Sequence, residues 1–182
     1  MAQHSVFRLP VHDLMGKPGS MRELDLRVNT PEKWGEAVAQ VPEGAELEAS
    51  GQLESVHEGI LASGEIHTRA EAQCVRCLDP IGVDIDTEFT ELFAYSGQEG
   101  YDSEVVDETI DLGVVVRDQV VLQLPFQPMC SPDCPGLDPE TGEKRPEGWQ
   151  ESTEERIDPR WDALRELMEH DPTPNENGTS RE

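Results

Sequence analysis

Four cysteines are the residues of this chain whose type and spacing could do chemistry, and they come as two close pairs. Cys74-Val75-Arg76-Cys77 precedes Asp79-Pro80, and Cys130-Ser131-Pro132-Asp133-Cys134 follows Pro128, with no cysteine left over. Zinc thiolate sites are commonly assembled from two such pairs, because each short loop presents two sulfurs to one edge of a tetrahedron. Cys74, Cys77, Cys130 and Cys134 are therefore a candidate metal set, with zinc as the candidate cofactor. The set requires a fold that carries the second pair back to the first across everything from Leu78 to Met129. Two other readings share these residues: reduced thiols without a ligand, and a redox pair. A reactive Cys-x-x-Cys usually opens a helix, where the thiol pKa is lowered. Cys74 and Cys77 fall between strand-like segments, which makes redox the weakest of the three.

Other chemistry has little footing. The chain has no Gly-x-Ser-x-Gly, no phosphate-cradling glycine loop and no His-Glu-x-x-His, so no catalytic residue is nominated and the expectation is a protein that is not an enzyme. His57 and His67 lie in strand-like segments without a partnering acid or serine motif. Asp84, Asp86 and Glu88 alternate along a strand. Carboxylates at that spacing sit ~6.5–7 Å apart, too far for neighbours to share one cation easily, so a solvated face is the favoured reading and a patch for a basic partner the second.

The elements that must position the cysteines read mostly as strands. Val6–Val11 is apolar-rich, and Leu24, Leu26 and Val28 alternate with charged residues. Pro31–Val41 reads as a short helix ended by Pro42-Glu43-Gly44. Leu47 and Ala49, then Leu53–Val56, then Ile66 to Cys74 and Ile81 to Phe89, alternate with a period of two and short turns between them. Such runs with no helix between them favour an antiparallel sheet. The period changes at Asp111–Leu124, where Leu112, Val116, Val120 and Leu124 recur every four residues between a capping Asp111 and a terminating Pro125. The fold class is thus α+β: a mostly antiparallel sheet or partly closed barrel, with one packed helix and a short C-terminal helix. The organisation is a domain over 1–137, an acidic Pro/Gly-rich loop over 138–158 that holds Trp149, a short helix over 159–170 with Trp161, Leu164, Leu167 and Met168 on one face, and a disordered tail over 171–182.

Asp and Glu number 39 against 14 Lys and Arg, and no basic residue separates Arg76 from Arg117. At a net charge of −25 the surface repels phosphate backbones, because nucleic-acid affinity comes largely from Lys and Arg displacing counterions. Direct RNA binding is expected to be weak, and a basic protein is the better partner, although acidity also serves solubility. No stretch approaches the ~20 apolar residues of a membrane span, and the start Met1-Ala2-Gln3-His4-Ser5 lacks the form of a secretory signal. The expected location is the cytoplasm, where thiols stay reduced or bind metal.

The same residues carry a resemblance. Cys74-Val75-Arg76-Cys77-Leu78-Asp79-Pro80 resembles the Cys-x-Arg-Cys-Leu-x-Pro signature of the YceD family, the large ribosomal RNA subunit accumulation proteins. The strand ending Phe89 to Phe93, the Ile110-Asp111-Leu112 entry to an apolar helix, Leu124-Pro125, the Cys130 to Leu137 segment and Asp158-Pro159-Arg160-Trp161 follow in the family's order. The resemblance implies a non-enzymatic accessory factor for large ribosomal subunit biogenesis, supporting 23S ribosomal RNA accumulation or processing. Contact with a basic ribosomal or assembly protein would suit its charge. The alternative is a small metal-binding or thiol-switch protein using the two cysteine pairs. Many family members continue after Gly-Leu with Cys-x-x-Cys-Gly, where this chain has Asp138-Pro139-Glu140-Thr141-Gly142. A metal site confined to that C-terminal cluster would be lost here. A site joining both pairs would survive, with Asp138 as an optional oxygen ligand.

Overall fold

The computed structural model describes residues 6–149, apart from 37, 97–99 and 147. The chain divides into two units, Met1–Gly148 and Trp149–Glu182, and the described fold is that of the first. The expected helix over 159–170 and tail over 171–182 lie outside the described residues, as does part of the loop expected over 138–158. In chain order the elements are β1 (Arg8–Pro10), β2 (Met21–Asn29), β3 (Trp34–Glu36), β4 (Ala39–Val41), β5 (Glu46–Ser55), β6 (Gly59–Gln73), β7 (Pro80–Ala94), β8 (Thr109–Asp111) and α1 (Gly113–Gln123).

β6 is the axis. Its whole length pairs antiparallel with β7, from Gly59↔Ala94 to Gln73↔Pro80. Its other edge is shared, with β5 along Ile60 to Thr68 and β4 at Glu71 and Ala72. β2 adds outside β5, and β3 outside β4. The sheet is open and not a barrel: β2 and β7 are not paired with each other. The expected α+β class holds, and the partly closed form does not. No helix among the described residues is long and apolar enough to cross a membrane.

Period-two patterning decides which face is dry. Leu47, Ala49 and Leu53 on β5, Ile60, Ala62, Ile66 and Ala70 on β6, and Ile85, Phe89 and Phe93 on β7 are buried. α1 packs against β7 and also reaches β3. Leu112, Val116 and Val120 are all 0% exposed, so the four-residue spacing identifies the buried stripe despite the β-branched valines. Asp111 lies one residue before the N-cap Leu112, and its Oδ1 accepts the Gly113 N–H at 2.9 Å. β1 and β8 form a separate antiparallel ribbon.

One expectation fails. Pro31–Val41 is not a helix but contains the β3–β4 pair, with Trp34↔Val41 in register and both buried. Gly35 has φ +83°, a left-handed backbone that interrupts any α-turn through it.

The glycines Gly51 and Gly64 face each other across β5 and β6. A Cβ on Gly51 would lie 2.1 Å from the Ser63 carbonyl oxygen and 2.5 Å from the Gly64 Cα. The two backbones approach too closely for any side chain there, while Leu24 and Phe89 fill the neighbouring register positions on either side. Gly51→Ala is therefore expected to cost about 1–3 kcal/mol, measurable as a lower denaturant midpoint with unchanged slope; an unaltered midpoint would refute the close approach.

On the opposite face Arg27, Glu48, His67 and Asp86 form a register row. The hydrogen bond to Asp86, at 2.5 Å, is the main influence raising the His67 pKa above 6.5, with Asp84 and Glu48 adding to it. A raised imidazole pKa stabilises the fold fully below the unfolded value and loses that contribution as pH rises through the folded one. Both groups are exposed, so the effect is small. NMR titration should place His67 above 6.5, and Asp86→Asn should bring it down; an unmoved His67 would show that Asp86 is not the cause.

Candidate metal centre

The first cysteine pair sits in the turn that joins β6 to β7. The Cys74 N–H donates to the Asp79 carbonyl at 2.8 Å and the Leu78 N–H to the Cys74 carbonyl at 2.9 Å, closing a tight loop. Leu78 takes φ +62° to complete it. That region costs a non-glycine residue roughly 1–2 kcal/mol, and the Leu78 side chain is exposed all the same.

The second pair is brought back by the end of α1. Pro125 ends the helical run, and the Val75 N–H donates to the Pro128 carbonyl at 2.9 Å, laying the Cys130 loop beside the first turn. Arg76 then clasps the two loops. Its Nη1 donates to the Cys134 carbonyl at 2.9 Å, and its own carbonyl accepts the Leu137 N–H at 3.1 Å. Gly136 (φ +77°) lies so close that a Cβ there would sit 3.2 Å from the Arg76 carbonyl oxygen.

The fold thus gathers all four sequence-nominated cysteines. Their four sulfurs lie within 4.8 Å of one another, with Cys74–Cys134 at 3.9 Å and Cys77–Cys130 at 3.7 Å. A tetrahedron with metal–sulfur bonds of about 2.3 Å has edges of about 3.8 Å, so the donor set fits a zinc ion. The separations are far beyond the ~2.05 Å of a disulfide. Cys74, Cys77 and Cys134 are buried in a cluster of their own, apart from the main core, and Cys130 is exposed.

The electrostatics fit a cation as well. The Cys74 thiol is pulled down to about 6, first by the Cys77 backbone N–H and next by that of Cys130. For Cys77 the largest influence, the Asp79 backbone N–H, pulls downward. Burial and the sulfurs of Cys74, Cys130 and Cys134 outweigh it and push the thiol up to about 12. Cys130 is also raised, first by Cys134 and then by burial. Cys74 ionises readily, while Cys77 and Cys130 resist until a positive charge sits among the sulfurs.

Several supporting residues have no signal in the cysteine spacing. Lys144 donates to both carboxylate oxygens of Asp79, at 2.5 and 2.6 Å. That bond is the main cause lowering the Asp79 pKa and raising that of Lys144, which also feels Cys77 and Cys130. Asp138 is not among the metal-capable donors of the cluster. Its Oδ1 accepts the N–H groups of Glu140 and Thr141, and its carbonyl accepts that of Gly142 (φ +71°). A carboxylate here folds the turn. The Asp, Pro and Gly of this stretch are the one legible clue to it.

The remaining nominated residues stay apart from the sulfurs. Asp84 and Asp86 are exposed and paired with Arg69 and His67, and Glu88 and His57 are exposed. The stripe is a solvated, ion-paired face.

The sequence model of the family described as "Large ribosomal RNA subunit accumulation protein YceD" matches residues 62–168. "Uncharacterized protein Rv2926c" of Mycobacterium tuberculosis (strain ATCC 25618 / H37Rv) is 39% identical over 159 residues, covering 84% of this chain and 76% of the relative. "Uncharacterized protein ML1660" of Mycobacterium leprae (strain TN) is 32% identical over 176 residues, covering 91% and 79%. "Uncharacterized protein YlbN" of Bacillus subtilis (strain 168) is 29% identical over 107 residues, covering 54% and 60%. No solved structure matches the chain. The chain belongs to the YceD family.

Protein purified under reducing, chelator-free conditions should carry one zinc per chain by elemental analysis. Cobalt substitution should give the sulfur-to-cobalt charge-transfer bands of a thiolate site. Arg76→Ala, which removes the guanidinium half of the clasp but no ligand, should weaken zinc about 10–100-fold, as loss of an outer-shell partner does. Protein without zinc that also fails to take up cobalt would refute the metal reading.

Proposed function

We propose that this YceD-family protein is a non-enzymatic accessory factor of large ribosomal subunit biogenesis, working in the cytoplasm. It supports 23S ribosomal RNA accumulation or processing by holding a basic ribosomal or assembly protein, and not by gripping RNA. The observation that carries this reading is the family description over residues 62–168. The charge of the chain, −25 with 39 acidic residues, supports a cationic protein as partner and disfavours a phosphate backbone.

The four cysteines serve this role as a structural zinc centre. Zinc bound by Cys74, Cys77, Cys130 and Cys134 would be coordinatively closed, leaving no position for substrate. The chain's own residues do the rest: Arg76 joins the loops, Lys144 and Asp79 brace the first turn from outside, and Asp138 folds the segment that follows. A second reading, a metal-binding or thiol-switch protein, draws on the same sulfur cluster. The closed cluster favours a scaffold over a sensor, because sensing thiols are accessible and three of these four are buried.

Depleting the protein should lower mature 23S ribosomal RNA relative to 16S. The tagged full-length protein should retain large-subunit proteins after nuclease treatment at an ionic strength of about 0.15 M. Association that disappears with nuclease would instead make RNA the contact and overturn the protein-contact reading.

A further inference from the structure

The two loops that carry the cysteines also carry apolar side chains on the outside. Val75 is 39% exposed, Leu78 52%, Met129 45% and Phe126 93%. The Val75–Pro128 hydrogen bond holds the two stretches side by side. Apolar residues exposed together on one surface, unlike singly scattered ones, mark candidate contact sites.

Leu78 is the informative member. Its backbone is in the left-handed region, where glycine is at ease and leucine is not. Its side chain gains little burial in exchange. Glycine would relieve the backbone there, and the side chain that stands in its place leaves about half of its surface to solvent.

The charge around these loops selects the occupant. The cations present are engaged within the protein: Arg76 with the Cys134 carbonyl, Lys144 with Asp79 and Arg145 with Asp138. Asp133 and Glu143 add exposed negative charge on the same loop, and a filled thiolate centre adds more. A phosphate backbone would have to compete with Asp79 for Lys144 and with Asp138 for Arg145, whereas a Lys/Arg-rich segment finds both complementary charge and apolar anchors.

We propose that Leu78 and Phe126, with Val75 and Met129, form the docking surface for a cationic protein segment whose aliphatic or aromatic residues pack against the cysteine loops. The inference rests on the proposed role in subunit assembly and specifies where on this chain that contact is made.

The test uses full-length zinc-loaded protein, with RNA-free total large-subunit proteins as the first probe and naked 23S ribosomal RNA as the second. Leu78→Gly relieves backbone strain and Phe126→Ser removes an exposed ring, so both variants should keep zinc stoichiometry, with Leu78→Gly melting at or above the wild-type temperature. Each should bind the protein probe at least about tenfold more weakly, the loss expected of a contact hot spot. Wild-type binding with undiminished binding by both variants would overturn the docking surface while leaving the assembly role standing. Wild-type binding to RNA and to none of the proteins would overturn both.

Discussion

β6 and β7 pair over fifteen residues in one unbroken antiparallel register, and a slip by a single residue would turn one strand's dry face to the wet side of the other. That register sets Ile66 and Ile85 on the dry side and His67 and Asp86 on the wet one. It also fixes the turn at the far end of the hairpin, the only connection between the strands and the seat of Cys74 and Cys77. β7 begins at the turn that holds the first cysteine pair and packs against α1, the helix that leads to the second. The glycine pair at Gly51 and Gly64 lets β5 approach β6 without disturbing this arrangement.

Around the cysteines the division of labour is between sulfur and backbone. Hydrogen bonds from backbone N–H groups make Cys74 willing to ionise, and crowding by the other sulfurs makes Cys77 resist. Such a set is ill at ease as four thiols and suited to a divalent cation. Arg76 and the Val75–Pro128 bond also join the two loops.

The acidic character of the chain is distributed unevenly in its consequences. On the open sheet face, carboxylates are partly neutralised in cross-strand rows with Arg27, His67 and Arg69. By the cysteine loops the cations are used internally, and apolar side chains lie beside the acidic ones. For the basic partner proposed above, attraction would be long-range and general, and the proposed seat local and apolar. Electrostatics governs encounter and buried anchors govern persistence.

The period-two runs from Leu47 to Phe89 and the four-residue spacing from Leu112 to Leu124 were legible as sheet and helix because burial on one face imprints the period directly on the residue order. Pro31–Val41 was misread because apolar spacing over so short a stretch does not distinguish a helix from a tight hairpin, and the left-handed Gly35 decided it. The two cysteine pairs were likewise visible as pairs. Whether they met was not, since that depends on the packing of α1 and on which carbonyl Arg76 reaches, 58 residues on, and neither can be read from the spacing of the cysteines. The Lys144–Asp79 bond, which spans 65 residues of sequence, was hidden for the same reason. Local sequence determined periods, pairs and charge, because those follow from neighbours along the chain; tertiary structure alone decided which pairs converge, because convergence is a property of long-range packing.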